Sequence, residues 1–208
     1  MRRVNEEIDV QNERILDVAI EEFCEKGYAG TRMDDIAKKL NITKTPIYYH
    51  FKNKAGLFDA AYRRILDGVY ENDLKIFSKN CSVYEKLEEA FVACAISSCQ
   101  MQAGEMGHIL SQESQELSDT IAYMDEMNAR FYQFKAAAMK DAQKRGEIKA
   151  DVDVDELFAL INACYSGVLA WVGGAARRES LSQEAQEKLA QSMVEKVFEA
   201  FRNVYFNQ

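Results

Sequence analysis

The chain has 208 residues, 48% of them hydrophobic and 29% charged, which is enough to bury a core without disulfides or bound metal. It contains only 1 Pro and 10 Gly, so residues that break helices are rare. Its net charge is −8, which by itself disfavours binding to the phosphates of a nucleic acid. We expect no segment to reach the ~20 apolar residues of a membrane helix, and the acidic N-terminal stretch is unlike a secretory signal. A cytoplasmic protein with reduced cysteines is therefore expected.

Helical periodicity predicts an all-α protein of about nine helices. The first helix is predicted over about residues 9–26, with Gly27 as its stop. The second is expected to have Thr31 as its N-cap, because an acidic residue three positions later completes the pattern of a capping box. Thr43 is the expected N-cap of a short third helix, which would hold Pro46 in its first turn.

The fourth helix is predicted from Lys54 to about Phe77, with Asn53 as its cap. Gly104 and Gly107 are expected to break the chain after a fifth helix. That fifth helix is predicted at about residues 83–103, and a short segment follows it at about residues 108–116. Further helices are predicted at about residues 118–145, 151–178 and 182–206.

The spacing of the second and third helices is that of a helix-turn-helix. Ala37 is small, as a position crossed by the third helix requires. Asn41 lies four positions later, where the turn needs a residue that tolerates a left-handed backbone. Ile47 lies six positions beyond it and can anchor the third helix in the core.

The charge is unevenly distributed along the chain. From Lys26 to Leu66 there are nine basic residues and three acidic ones, an excess of +6, and the remainder must carry −14 to give the total of −8. A basic N-terminal region on an acidic protein suits contact with DNA through one end only.

The outward face of the third helix carries donors, hydroxyls and aromatic rings from Lys44 to His50. Such side chains can reach phosphates and base edges in a major groove. The alternative is a solvated face, with Tyr48 and Tyr49 each half inside the core.

Three segments resemble the N-terminal domain of the TetR family of transcriptional regulators: residues 23–27, 31–37 and 42–58. The most specific marks are the tyrosine within Tyr48-Tyr49, the pair His50-Phe51 and the Lys-x-x-Leu pattern that runs from Lys54 to Leu57. The chain departs from the family at Thr45 and Pro46, and Asn41 replaces the usual turn glycine. Because Pro46 stiffens the recognition helix, it puts the bases contacted there in doubt.

The resemblance implies an all-α homodimer with a DNA-binding domain at residues 1–53 and a helical ligand-binding and dimerisation domain at residues 54–208. It also implies repression of an operator in double-stranded DNA, relieved by a small molecule. The family's DNA contacts correspond here to Thr31, Arg32, Thr43, Lys44, Thr45, Tyr48, Tyr49, His50 and Lys54.

The last two predicted helices are long and amphipathic, with wide apolar faces that include Leu160, Val168, Val194 and Phe198. Two such helices from each of two chains can form a four-helix bundle, which is also the family's usual dimer interface. The alternative is a core within one chain.

The central helices are rich in Met and aromatic residues, which suit an adaptable apolar pocket and suit a plain core equally well. His108 lies near Glu113 and Glu116, but with only 2 His in the chain a ligand contact or a helix-end hydrogen bond is expected rather than a metal site. The candidate ligand contacts are His108, Tyr123, Met127, Phe131, Phe134, Tyr165 and Trp171.

No Gly-rich phosphate loop, nucleophile elbow or metal signature points to an enzyme, and we expect no cofactor. The sequence therefore predicts a sequence-specific DNA-binding regulator, most simply a repressor released by a small-molecule effector. The alternative is a DNA-binding regulator controlled by a protein partner.

Overall fold

The computed structural model describes residues 2–99, 101–113 and 115–207, with side chains for residues 10–99, 106–113, 115–175 and 179–207. This part of the chain forms nine α-helices, which confirms the all-α prediction. They are α1 (Arg2–Gly30), α2 (Met33–Lys39), α3 (Thr45–Phe51), α4 (Lys54–Phe77), α5 (Val83–Cys99), α6 (Met101–Gln112), α7 (Ser118–Lys144), α8 (Val154–Glu179) and α9 (Gln183–Tyr205).

The helices form two compact units. The first unit comprises Met1–Asp67 and Met101–Glu126, and the second comprises Gly68–Gln100 and Met127–Gln208. These units are defined by packing, so the functional boundary predicted after residue 53 remains a prediction.

The core of the first unit is formed where α1 packs against α2, α3 and α6. Its largest buried side chains recur at helical spacing along α1, as Ile15 and Phe23 do, and are met by Ile47 from α3. Phe23 also contacts Phe58 of α4 edge to face, with ring centroids 5.1 Å apart. This core fixes the short helices α2 and α3, which are too short to be stable alone.

The turn between α2 and α3 has the geometry that the spacing predicts. Asn41 adopts φ of 53°, a left-handed backbone that asparagine tolerates better than most residues. The N–H of Ile42 donates to the carbonyl of Ala37 at 3.0 Å, closing the end of α2. Ala37 and Ile47 are both buried, as the helix-turn-helix prediction requires.

The predicted caps are only partly correct. Asn53 caps α4, since its Oδ1 accepts from the N–H of Gly56 at 2.7 Å, and Pro46 lies in the first turn of α3. Thr43 is not a cap, because α3 begins two residues later with Lys44 at the N-cap position and no side-chain cap bond.

The capping box at Thr31 is also wrong. Arg32 holds the N-cap position of α2, again without a side-chain bond. The hydroxyl of Thr31 instead donates to the carbonyls of Glu22 and Gly27, at 3.0 and 2.8 Å. These two hydrogen bonds hold Thr31 against the end of α1, where the chain changes direction at Gly27, whose φ is 68°.

The predicted break at Gly104 and Gly107 is wrong, because α6 runs through both glycines. A glycine inside a helix costs only about 1 kcal/mol relative to alanine. The burial of Met106, Ile109 and Leu110 in the first core outweighs that cost.

The core of the second unit lies among α5, α8 and α9. Phe91 of α5 contacts Phe158 of α8 and Phe198 of α9, with centroid separations of 6.4 and 5.7 Å. The chain end is fastened to the turn after α7 by an isolated antiparallel bridge between Ile148 and Phe206.

One helix corrects the expectation that no segment is apolar enough to cross a membrane. Val154–Ala175 in α8 is long and apolar enough by length and composition, with a mean hydropathy of 1.5, although only 28% of that window is buried. Core helices of soluble proteins pass the same test. Here one face of α8, including Leu157 and Ile161, is packed in the second core.

Candidate nucleic-acid interface

The two faces of α3 differ sharply in exposure. Ile47 and Phe51 point into the first core, whereas Thr45, Tyr48 and Tyr49 lie on the exposed side. Tyr49 is 80% exposed, so its ring takes little part in the core. A buried apolar face and an exposed face of hydroxyls and rings are what a recognition helix needs.

Three further predicted contacts, Arg32, Thr43 and Lys44, are also exposed and lie on or next to α2 and α3. The ammonium of Lys44 lies 3.2 Å from Asp34 Oδ1 in a pair that solvent reaches from both sides. Such exposed pairs are worth at most about 1 kcal/mol. Lys44 can therefore exchange this carboxylate for a phosphate at little cost.

The structure gives the side chains of Thr31 and Lys54 internal partners. Thr31 is 2% exposed, so its hydroxyl cannot reach DNA in this conformation. The ammonium of Lys54 donates to the carbonyl of Tyr28 at 2.8 Å and lies 4.2 Å from the centre of that ring. Both side chains fasten the end of α1 to its neighbours.

His50 is half-buried at the end of α3. Its Nδ1 lies 3.5 Å from the side-chain nitrogen of Asn12 in α1. Its ring meets the ring of Tyr49 edge to face, at 5.1 Å between centroids. His50 thus links the exposed ring of Tyr49 to the packed part of the domain.

The turn from α3 to α4 depends on a glycine that the sequence analysis did not single out. A Cβ on Gly56 would lie 2.3 Å from the carbonyl oxygen of Phe51, a backbone atom that cannot move aside cheaply. Lys52, between them, adopts φ of 62°. This close approach sets the angle between the end of α3 and the start of α4.

Acidic residues of α1 offset part of the basic charge that the sequence count assigned to this region. Glu22 is fully buried, and its carboxylate meets the ammonium groups of Lys26 and Lys39. Arg64 likewise pairs with Glu13 and Asp17, at 2.9 and 2.8 Å. Glu13, Asp17 and Glu22 all precede Lys26 in the chain and therefore lie outside the basic stretch from Lys26 to Leu66.

Glu22 is held in its charged form by its partners. Burial alone would raise the pKa of this carboxyl, but the hydrogen bonds and charges of Lys26 and Lys39 outweigh burial and lower the pKa below its ordinary value of 4.5. The pairing of Glu22 with a lysine four residues later is the signal in the sequence that could have revealed it.

The candidate ligand contacts are divided between the two units. His108 is exposed on α6, with its Nε2 3.0 Å from the side-chain nitrogen of Gln112. Tyr123 belongs to the first unit, where its hydroxyl donates to Asp67 and the guanidinium of Arg63 lies 3.9 Å from its ring centre. Tyr123 also lines a groove of about 620 Å³ beside the turn from α3 to α4.

The other candidates lie in the second unit. Phe131 and Phe134 flank the ring of Tyr70, at 5.4 and 6.2 Å between centroids. Tyr165 packs against Phe91 at 5.2 Å, and burial raises the pKa of its hydroxyl. Of the remaining two candidates, Met127 is fully buried and Trp171 is exposed.

The turn between α2 and α3, with Ala37 and Ile47 buried on either side of it, and the exposed face of α3 define a helix-turn-helix protein of the all-α class. Residues 15–61 match the family model of bacterial regulatory proteins of the tetR family. The biofilm operon icaADBC HTH-type negative transcriptional regulator IcaR of Staphylococcus aureus is 42% identical over 72 residues. That match takes in 35% of this chain and only 38% of IcaR.

Two solved structures share the fold over almost the whole chain. A candidate transcriptional regulator from Saccharomonospora viridis in complex with choline has a TM-score of 0.74 at 20% identity, covering 96% of this chain and 100% of that one. AibR in complex with isovaleryl coenzyme A and operator DNA has a TM-score of 0.63 at 24% identity, covering 90% and 97%. The family-model match covers residues 15–61, the region of the helix-turn-helix, and the likeness to these two structures shows that the remainder of the chain shares their fold.

Proposed function

We propose that this chain is a homodimeric transcriptional repressor that binds operator DNA through residues 1–53 and releases it when a small molecule binds within residues 54–208. The observation that carries the DNA-binding part is the exposed face of α3, where Thr45, Tyr48 and Tyr49 stand opposite the buried Ile47. IcaR is named as a negative regulator, which supports repression. As a regulator of transcription, the protein would act in the cytoplasm.

The proposed mode of binding places α3 in the major groove. Tyr48 and Tyr49 would contact bases or the sugar-phosphate backbone, and Lys44 would exchange Asp34 for a phosphate. One such domain offers few contacts, so specificity requires two of them on half-sites about 34–36 Å apart or a multiple of that spacing.

Selection from a random duplex library, followed by affinity measurements on the enriched sequence, tests this mode. Tyr49→Ala should weaken binding about ten-fold or more, because an exposed ring on the recognition helix is lost. Tyr132→Ala is the matched control, since Tyr132 is an exposed tyrosine on α7 of the second unit. Failure to enrich any duplex, or equal losses in both variants, would contradict DNA binding by α3.

The proposed dimer forms through α8 and α9. Leu160 and Trp171 are exposed on α8, and Val204 is exposed on α9. A long apolar helix with so little of its surface buried suits a bundle completed by a second copy.

Light scattering on wild type and variants tests the dimer. Leu160→Glu should shift the protein towards monomer, because a charge would be buried in the bundle. Leu74→Glu is the control, because Leu74 of α4 is exposed to a similar degree, 42% against 45%. A wild-type monomer would rule out the dimer, and an unchanged dimer in Leu160→Glu would rule out this interface.

Effector release is tested by titrating compounds into a protein–duplex complex and following the anisotropy of labelled DNA. The choline and isovaleryl coenzyme A complexes of proteins with this fold support a ligand-binding role for the helical domain. If no compound in a broad metabolite panel changes DNA affinity, control by a protein partner replaces this part of the proposal.

A further inference from the structure

The second unit contains one buried ion pair that the proposed DNA-binding mode does not use. The ammonium of Lys135 in α7 lies 2.8 Å from Asp73 Oδ2 in α4, and the two side chains are 10% and 3% exposed. Removing two charges from water costs so much that such a pair adds little stability over apolar residues of the same volume. Its presence in a packed unit therefore calls for another explanation.

The polar groups of this pair are under-satisfied. An ammonium has three donors, and within the described residues Asp73 is the only polar partner that Lys135 has. The contact is close, yet Asp73 Oδ2 has no hydrogen bond of good geometry. Buried polar groups are usually hydrogen-bonded, so donors of Lys135 remain available for an oxygen acceptor.

Aromatic rings surround the same ammonium. It lies 5.1 Å from the centre of Phe91 and 5.5 Å from that of Phe131. Phe131 and Phe134 both pack against the ring of Tyr70, and each of these three rings is only half-buried. An apolar molecule that packed on Phe131 would bring its polar atoms close to Lys135, whose ammonium lies 5.5 Å from the centre of that ring.

Charge balance selects the chemistry of that molecule. A bound anion would leave the site with an uncompensated negative charge beside Asp73, and a bound cation would compete with Lys135 for the same carboxylate. Either arrangement buries an unpaired charge, which is strongly unfavourable. A neutral oxygen can accept from the ammonium and leave the pair intact.

We infer that Lys135, held by Asp73, is the polar anchor of the effector site, and that the effector is a neutral, largely apolar molecule bearing a carbonyl oxygen. The inference rests on the proposed function in assigning effector binding to this part of the chain. Phe131 and Phe134 supply the surface on which the apolar part of the molecule lies.

Calorimetry on the full chain, without DNA, tests the anchor with two matched sets of probes. Each set contains a ketone, its hydrocarbon, an anion and an amine, in that order. The first set is acetophenone, ethylbenzene, benzoate and benzylamine. The second set is benzophenone, diphenylmethane, diphenylacetate and benzhydrylamine. In at least one set the ketone should bind about ten-fold more tightly than its hydrocarbon, because one hydrogen bond to a charged group is gained. Tightest binding by the anion or the amine, or no binding in either set, would overturn the inference.

The double variant Asp73→Leu/Lys135→Met removes both charges while keeping apolar volume, so the fold should survive. It should lose the preference for the ketone and keep the affinity for the hydrocarbon. Lys140→Met is the control, because Lys140 lies on the same helix in an exposed pair with Asp155. A ketone preference that persists in the double variant would contradict the role of Lys135.

Infrared spectroscopy of the ketone bound to wild type gives a readout that needs no variant. The carbonyl band should lie at lower frequency than in hydrocarbon solvent, and an unshifted band would overturn the inference. If the ketone binds through Lys135 and DNA affinity stays the same, the anchor stands and effector release is the part that fails.

Discussion

The first and second units of this protein place their charged side chains differently. In the first unit the pairs lie at the surface, as Lys44 with Asp34 does, and even the buried Glu22 is met by lysines that solvent reaches. The second unit also has surface pairs, such as Lys140 with Asp155, but there Lys135 and Asp73 are buried together. Surface charges can exchange partners at low cost, which suits contact with phosphate, whereas a buried pair restricts what can enter the core.

The largest effect should come from breaking the buried pair on one side. Lys135→Met leaves Asp73 charged and unpaired in the core, so the free energy of unfolding should fall by about 3–5 kcal/mol. The exposed counterpart, Lys140→Met, should leave the free energy of unfolding almost unchanged, because solvent screens the pair with Asp155. Urea unfolding followed by circular dichroism measures both. Equal losses would mean that the two pairs do not differ as the structure indicates.

The turn from α3 to α4 provides a backbone test in the first unit. Gly56→Ala should destabilise by about 1–3 kcal/mol, because its Cβ would overlap the carbonyl oxygen of Phe51. Gly68→Ala, on the same helix with open space around the Cβ, should instead stabilise by up to about 1 kcal/mol. Thermal unfolding of both variants measures the difference, and a Gly56→Ala variant as stable as wild type would contradict the close approach.

Glu22 should give the first unit a stability that depends on pH. Its folded pKa is lowered by Lys26 and Lys39, so its contribution is present above the ordinary pKa of 4.5 and is lost as pH falls through the folded value. Glu22→Gln should cost about 2 kcal/mol at neutral pH. The gap between variant and wild type should narrow in acid, and a gap independent of pH would show that the charge of Glu22 is not the cause.

The smallest effect is expected at the helix-turn-helix turn itself. Asn41 has φ of 53°, and alanine lacks the polar side chain by which asparagine can hydrogen-bond locally in this left-handed backbone. Asn41→Ala should therefore lower the free energy of unfolding by about 1 kcal/mol. Asn41→Gly should remain close to wild type, because glycine adopts this backbone without a steric penalty. Calorimetric melting would resolve the two variants, and a stable Asn41→Ala would show that the turn relaxes.

Local sequence patterns predicted the helices and the recognition turn well. Ala37, Asn41 and Ile47 occupy the positions their spacing indicates, and Asn53 caps α4. The caps at Thr31 and Thr43 were wrong, because cap preference is weaker than the packing that decides where a helix begins. The roles of the predicted DNA and effector contacts remain predictions.

The sequence by itself determined the all-α class, the position of the helix-turn-helix and its exposed polar face. These depend on contacts between residues a few positions apart, and helical periodicity records such contacts. Only the tertiary structure decided that α6 continues through two glycines, that Glu22 also meets Lys39 of α2, and that Lys135 meets Asp73. Lys135 and Asp73 are far apart in the chain, and no local pattern records which helix faces pack together.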